Sequence, residues 1–292
     1  MKNSESVFEQ YLKYWRLEFE HEKPIEGSKP DFSCWTSSGE PIVYWEIADR
    51  LFTEEDKRDL DELFAKAEHC EGGVTRTGPS KGYQFLEKKI RRKSEQFRKC
   101  GPVPGMLVVA DWTHTADIDH RTVASVLYGW PQVRFTLHSD EPAIRFGRAE
   151  DGKLNDPDRA HLNTHFSAIG VLKEVNPNRV KYGLDEYTES VISTYIVTSH
   201  AFELIAKRER EIGSCHDLTI QVPALDIYVI PDAPISWPLE YVGELDTLYL
   251  FDSEADDFVE RSRREQANTQ VPMSVTQRAI SSLMSDPSLR ND

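Results

Sequence analysis

Residues 29–50 read KPDFSCWTSSGEPIVYWEIADR, and the fold turns on how this stretch is parsed. Two runs rich in β-branched and aromatic residues, Phe32–Thr36 and Ile42–Ala48, flank the turn-like SSGE at 37–40. That pattern predicts two strands joined as a hairpin. Along a strand, side chains alternate between faces, so Ile42, Tyr44, Glu46 and Ala48 share one side and Val43, Trp45 and Ile47 the other. The second side reads as core against a helix layer. The first carries a glutamate among apolar neighbours, and an unpaired buried charge costs several kcal/mol. Asp31 stands at the mouth of the preceding strand, and hairpin pairing brings it toward Glu46. Two convergent carboxylates form a hard-oxygen site suited to Mg²⁺ or Mn²⁺.

Helices and strands alternate outward from this hairpin. Phe8, Leu12, Trp15 and Phe19 recur at the helical period and predict a helix over about 4–20. A second strong helix is predicted over 83–99, stopped by GPVPG, and the apolar MLVVADW that follows reads as a central strand. Further on come a short helix in DIDHRTVASVLYGW, a hairpin of VRFTLH and AIRFG, and a strand in FSAIGVLKEV. The long helical stretch 185–211 starts acidic and ends basic, as the helix dipole favours. Strands in LTIQVPALDIYVIP and TLYLF close the ordered part, and the tail from about residue 253 is polar and charged. The class is α/β with a mixed sheet. Residues 1–112 form the expected core, 113–252 add α/β elements, and 253–292 form a partly helical or flexible tail.

Composition narrows the functions. The 292-residue chain has 39% hydrophobic residues, enough to build a core, while its net charge of −15 repels polyanions from most of its surface. A nucleic-acid contact therefore needs a local basic patch, and EKKIRRKSEQFRK supplies one with seven Lys or Arg between Lys88 and Lys99. No run approaches the ~18 apolar residues of a membrane helix, and the N-terminal stretch is not read as a signal peptide. Four scattered cysteines without a CxxC pair point to free thiols in a reducing cytoplasm.

An aspartate, a turn, then a glutamate on the neighbouring strand resembles the PD-(D/E)XK nuclease superfamily. Pro30–Phe32 (PDF) and Val43–Ala48 (VYWEIA) match the two halves of its motif in order and spacing. Lys89, Ile90 and Gln96 resemble the K-I-x-x-x-x-x-Q helix of an uncharacterised bacterial branch. MLVVADW and the later VIPDAPISWPLEYVGELDTLYLF extend the likeness over roughly residues 5–252. The resemblance implies a restriction-endonuclease-like fold and Mg²⁺- or Mn²⁺-dependent cleavage of nucleic acid, DNA before RNA. It further implies metal held by Asp31, Glu46 and an N-terminal acid such as Glu9, and a role in bacterial defence or DNA processing.

One position departs from the motif. The family's lysine, two residues after the glutamate, is here Ala48. On the helix over 83–99, Leu86, Ile90 and Phe97 form an apolar stripe, and Lys93 falls where a hydrophobic residue is expected. Lys93 thus becomes the stand-in lysine, with Gln96 beside it to position water or phosphate. Lys88, Lys89, Arg92 and Lys99 are the expected phosphate contacts.

Each of these residues also has a plainer explanation. Glu46 could belong to a structural ion pair, and Asp31 alone suits a turn. Lys93 could snorkel at the edge of the packed face, and the basic run could be a solvated helix surface. Glu9 and Glu22 bracket the first helix, and the solvated reading is the stronger one for both. His161 and His165 in HLNTH have the spacing of a helical metal pair without the glutamate of HExxH, and are expected to be structural or exposed. DIDH reads as a helix start. A function of a different class follows from Ala48 and the acidic surface: an inactive nuclease fold that serves as a binding or assembly module for a protein partner.

Overall fold

The computed structural model of the chain describes residues 4–51, 53–54, 57–58, 61, 81–112, 118–136, 143–148, 152, 165–184, 187–188, 190–191, 199–231, 233–252, 255 and 257–261. The chain opens with α1 (Ser4–Tyr14), which buries Val7, Phe8, Tyr11 and Leu12 on one face. It stops about a turn and a half before the predicted end. Arg16 adopts φ 55° and its amide donates to the Lys13 carbonyl, while the Leu17 amide reaches back to the Leu12 carbonyl at 3.0 Å. This is the paired bonding of a Schellman closure, with an arginine where glycine is usual.

β1 (Glu20–His21), β2 (Phe32–Trp35) and β3 (Pro41–Arg50) follow as antiparallel neighbours. Next come α2 (Lys81–Lys99), β4 (Gly105–Asp111), α3 (His120–Tyr128), β5 (Pro131–Thr136), β6 (Ala143–Arg148) and β7 (Ala168–Val175). The remainder comprises α4 (Pro177–Lys181), α5 (Ser199–Gly213), β8 (Val222–Val229), β9 (Thr247–Asp252) and β10 (Asp257–Arg261). The expected hairpin is the two-stranded β5–β6 sheet. The other strands join one eight-stranded mixed sheet in the order β1-β2-β3-β4-β7-β8-β9-β10. β3, β4 and β7 run parallel, so the crossovers between them carry α2 and α3.

Alternation along β3 and β4 sorts the core into two layers. Val43, Trp45, Met106 and Val108 pack under α1, where the Trp45 and Trp237 rings meet edge-on at 5.7 Å. Tyr44, Ala48, Leu107 and Val109 face Leu86, Ile90 and Phe97 of α2 and Val123 and Leu127 of α3. α1 and α2 therefore cover opposite faces of the sheet. β10 lies inside the stretch expected as a polar tail. Its DFVER alternates, burying Phe258 against the Tyr128 and Tyr228 rings while its neighbours face outward. Most of residues 52–80 and the first four residues of HLNTH lie outside the described residues.

Close approach of α2 to the sheet depends on Gly105. A Cβ there would stand 2.5 Å from the Tyr44 hydroxyl oxygen and 2.8 Å from Phe97 Cδ1. Gly105→Ala is expected to destabilise the protein by about 1–3 kcal/mol through overpacking, read as a lower urea midpoint at unchanged slope.

Candidate active site

The β2–β3 register pairs Ser33 with Tyr44 and Phe32 with Trp45. One step further sets Asp31 across from Glu46 on the α2 side of the sheet. The Ile47 amide donates to Asp31 Oδ2 at 2.6 Å, and the Asp31 carbonyl accepts from the Glu22 amide at 3.0 Å. The aspartate is thus pinned to the edge of β3 by main-chain groups, independently of its neighbour's charge.

Glu46 is fully buried. Two donors from α2 reach it. Lys93 Nζ donates to Glu46 Oε2 at 2.6 Å, and the Gln96 side-chain amide donates to Glu46 Oε1 and, at 3.4 Å, to the Lys29 carbonyl. Lys93 and Gln96 stand three residues apart, which places them side by side on the helix. The Lys93 side chain keeps 26% of its surface exposed, so its stem runs along the apolar stripe and its ammonium meets the carboxylate at the rim. Burial, followed by the neighbouring Asp31 carboxylate, pushes the Glu46 carboxyl up to about 7 against the lowering pull of Lys93.

Ala48 is 2% exposed beneath α2, in the cluster that holds Tyr83, Leu86 and Ile90. A lysine at that position would have to thread its ammonium between packed apolar side chains. The small residue lets α2 lie close, and the ammonium beside Glu46 comes from the helix instead of the strand.

The structure does not bring all the expected metal ligands together. Glu9 sits on the exposed side of α1, across the sheet, in an ion pair with Lys13 at 2.7 Å. It does not join Asp31 and Glu46, because α1 packs on the Trp45 face and not on the Glu46 face. Glu22 pairs with Lys29 at 2.6 Å. Among the described residues, no group of three or more His, Cys, Asp or Glu side chains is arranged to hold a metal ion. Mg²⁺ is commonly held by one or two carboxylates and keeps several waters. A carboxylate oxygen that already takes one donor, as Asp31 Oδ2 and both Glu46 oxygens do here, can accept at a second position. The Asp31–Glu46 donor set therefore meets the minimum for a divalent ion.

Asp246 provides a useful contrast. This buried carboxylate accepts from the Tyr11 hydroxyl at 2.7 Å and from the Leu225 and Gly243 amides at 2.8 and 2.5 Å. These three donors are neutral. Glu46 is instead coupled to a second carboxylate and a cation at the mouth of a helix–sheet seam.

The basic face of α2 runs alongside. Lys88 and Arg92 are exposed, and Lys99 pairs with Glu95 at 3.1 Å. Lys89 is half-buried with its ammonium 5.2 Å from the Phe85 ring centre, and burial followed by the Lys93 and Arg92 charges lowers its pKa. The Ile47 amide and the Lys29 carbonyl are site groups that side-chain patterning cannot reveal, since they belong to the backbone. Asp119 caps α3 by accepting from the Thr122 amide at 2.8 Å, in keeping with a helix start in DIDH. Cys34, Cys100 and Cys215 are free thiols. Among the described residues, no helix is long and apolar enough to cross a membrane.

Together these features define an α/β protein whose mixed sheet presents a coupled carboxylate pair to a lysine and a glutamine from a crossover helix. Comparison with protein-family models, curated proteins and solved structures finds no match for the chain.

Proposed function

We propose that the chain is a divalent-metal-dependent nuclease of the PD-(D/E)XK type, with a restriction-endonuclease-like fold and its lysine relocated to Lys93. The observation that carries the proposal is the 2.6 Å contact between Lys93 Nζ and Glu46 Oε2 beside Asp31. Asp31 and Glu46 would hold Mg²⁺ or Mn²⁺, with water completing the coordination. The bound metal would supply charge stabilisation at the phosphodiester and a lowered pKa for water. Lys93 offsets the carboxylate charge and orients the attacking water, and Gln96 fixes the Glu46 carboxylate from its other oxygen. Lys88, Lys89, Arg92 and Lys99 contact substrate phosphates, DNA in preference to RNA, on a chain that is otherwise too acidic to hold a polyanion.

A second reading draws on the complete burial of Glu46 and the lack of a third acid among the described residues. In it the cluster is a structural ion-pair network, and the fold is an inactive nuclease shell that binds a protein partner. Incubation with supercoiled plasmid, linear duplex, single-stranded DNA and RNA, in Mg²⁺ or Mn²⁺ and in chelator, separates the two. The nuclease cleaves at least one substrate only with metal, and Asp31→Asn abolishes that cleavage. No cleavage of any substrate, or cleavage unchanged by Asp31→Asn, would rule out this site.

A further inference from the structure

A second cleft lies on the same face of the sheet, away from Glu46, where β4 ends and α3 begins. It encloses about 310 Å³ over β7, β8 and β9, within the size range of small-molecule sites. Asp111, Asp119, His120, Asp226, Tyr228 and Tyr249 supply its polar and aromatic lining. Asp226 and Tyr228 are two residues apart on β8, so strand alternation turns both to the same side.

Charge around the cleft is unevenly balanced. Asp111 is paired with Arg50 at 2.7 Å, and Asp226 is paired with Lys173, which also donates to Thr247 Oγ1 at 3.1 Å. Among the described residues, the Asp119 carboxylate accepts the Thr122 amide of its own helix and no other donor, and Asp257 has His120 at 4.0 Å. Among the described residues, no lysine or arginine pairs with either Asp119 or Asp257. The cleft therefore carries net negative charge.

Tyr228 supplies the independent indication. It is 2% exposed, its ring is stacked on Tyr249 at 4.7 Å, and it lines the cleft. Its hydroxyl makes no hydrogen bond among the described residues, and it is not sealed into packing as the Trp45 and Trp237 indole nitrogens are. A buried phenol with no partner loses hydrogen-bond energy unless something enters the cleft to meet it.

We propose that this cleft binds a small organic cation, an alkylammonium or guanidinium group on a short apolar stem. The cation would sit against Asp119 and Asp226 and donate to the Tyr228 hydroxyl, with its stem over the Tyr228–Tyr249 stack. An anion is disfavoured because carboxylates surround the opening and Asp119 already takes the helix terminus. The proposal is independent of the chemistry at Asp31 and Glu46.

Two variants test it without dismantling the fold. Tyr228→Phe keeps the ring and removes the hydroxyl, and Asp119→Asn removes the charge while asparagine still caps α3. Binding of agmatine and of putrescine to the full chain is measured by calorimetry in chelator at physiological salt, with thermal melts confirming that each variant is folded. Saturable binding of at least one probe is expected, weakened about tenfold by each variant, because each removes a hydrogen bond or charge pairing to a cation. Glu46→Gln is expected to leave it unchanged. The proposal is overturned if neither probe saturates at millimolar concentration. It is equally overturned if both variants bind like the parent, which would mean diffuse attraction to an acidic chain, or if Glu46→Gln abolishes binding.

Discussion

Lys93→Met is expected to lower metal-dependent cleavage at least about 100-fold while leaving the protein folded. Removing one preorganised charged or hydrogen-bonding group from a reacting centre typically costs a factor of ~10²–10³. The methionine retains an apolar stem at a position that shares the helix face of the buried Leu86, Ile90 and Phe97, so the packing of α2 should survive. What disappears is the ammonium 2.6 Å from Glu46 Oε2. Glu46 then keeps its burial and the repulsion of Asp31 without their main counterweight, and it protonates more readily at neutral pH. Both water orientation and metal affinity suffer. Lys93→Arg restores charge but spreads it over a planar fork, and an intermediate rate is expected. Initial rates of plasmid nicking at saturating Mg²⁺, beside thermal melts, read the effect. A Lys93→Met rate equal to that of the parent would show that the lysine has not moved to the helix.

The second large effect concerns pH. The Glu46 carboxyl is raised from 4.5 to about 7, so the folded chain holds this proton more tightly than the unfolded chain does. Its stabilising contribution is fully present below about pH 4.5 and is lost as pH rises through about 7. In metal-free buffer this amounts to a loss on the order of 3 kcal/mol, taking ~1.4 kcal/mol per pKa unit. Glu46→Gln removes the titration, so the difference between parent and variant isolates it from the many surface carboxylates. Urea unfolding at pH 4.5, 6, 7 and 8 in chelator should show the parent losing stability relative to Glu46→Gln across that range. Added Mg²⁺ should act in the opposite sense. It needs the ionised carboxylate, so it stabilises the parent more at pH 8 than at pH 6. Parallel pH profiles for parent and variant would contradict the raised Glu46 pKa.

The cluster was legible where two periodicities sufficed. Period two along residues 42–48 puts Glu46 on the face opposite Trp45, and the SSGE turn sets a register that carries Asp31 toward it. Period 3.6 along α2 picks out Lys93 as the polar break in an apolar stripe. Other features depend on contacts that no local pattern encodes. Glu9 could be ruled out as a ligand only by knowing which face of the sheet α1 covers, and that is decided by the fit of Phe8 and Tyr11 against Trp45 and Asp246. The early end of α1 rests on Arg16 in a left-handed conformation, where the usual glycine signal is missing. β10 is a five-residue strand with one buried side chain, Phe258, and its polar composition resembles a tail until β9 is there to pair with it. The pinning of Asp31 by the Ile47 amide leaves no trace in residue identity. Tyr228 and Asp226 could have been noticed as same-face neighbours on a strand, but the cleft above them is made by β4 and α3.

Asp31 and Glu46 are proposed to form one metal site and not merely a charge network closed by Lys93. Titration of the parent chain with Mn²⁺ at pH 8, followed by electron paramagnetic resonance, tests it without needing to know the substrate. One ion per chain is predicted, with affinity lowered at least about tenfold by either Asp31→Asn or Glu46→Gln, since each removes an anionic ligand from a set of two. An absence of saturable binding in the parent, or binding by both variants equal to that of the parent, would contradict it and favour the structural ion-pair network.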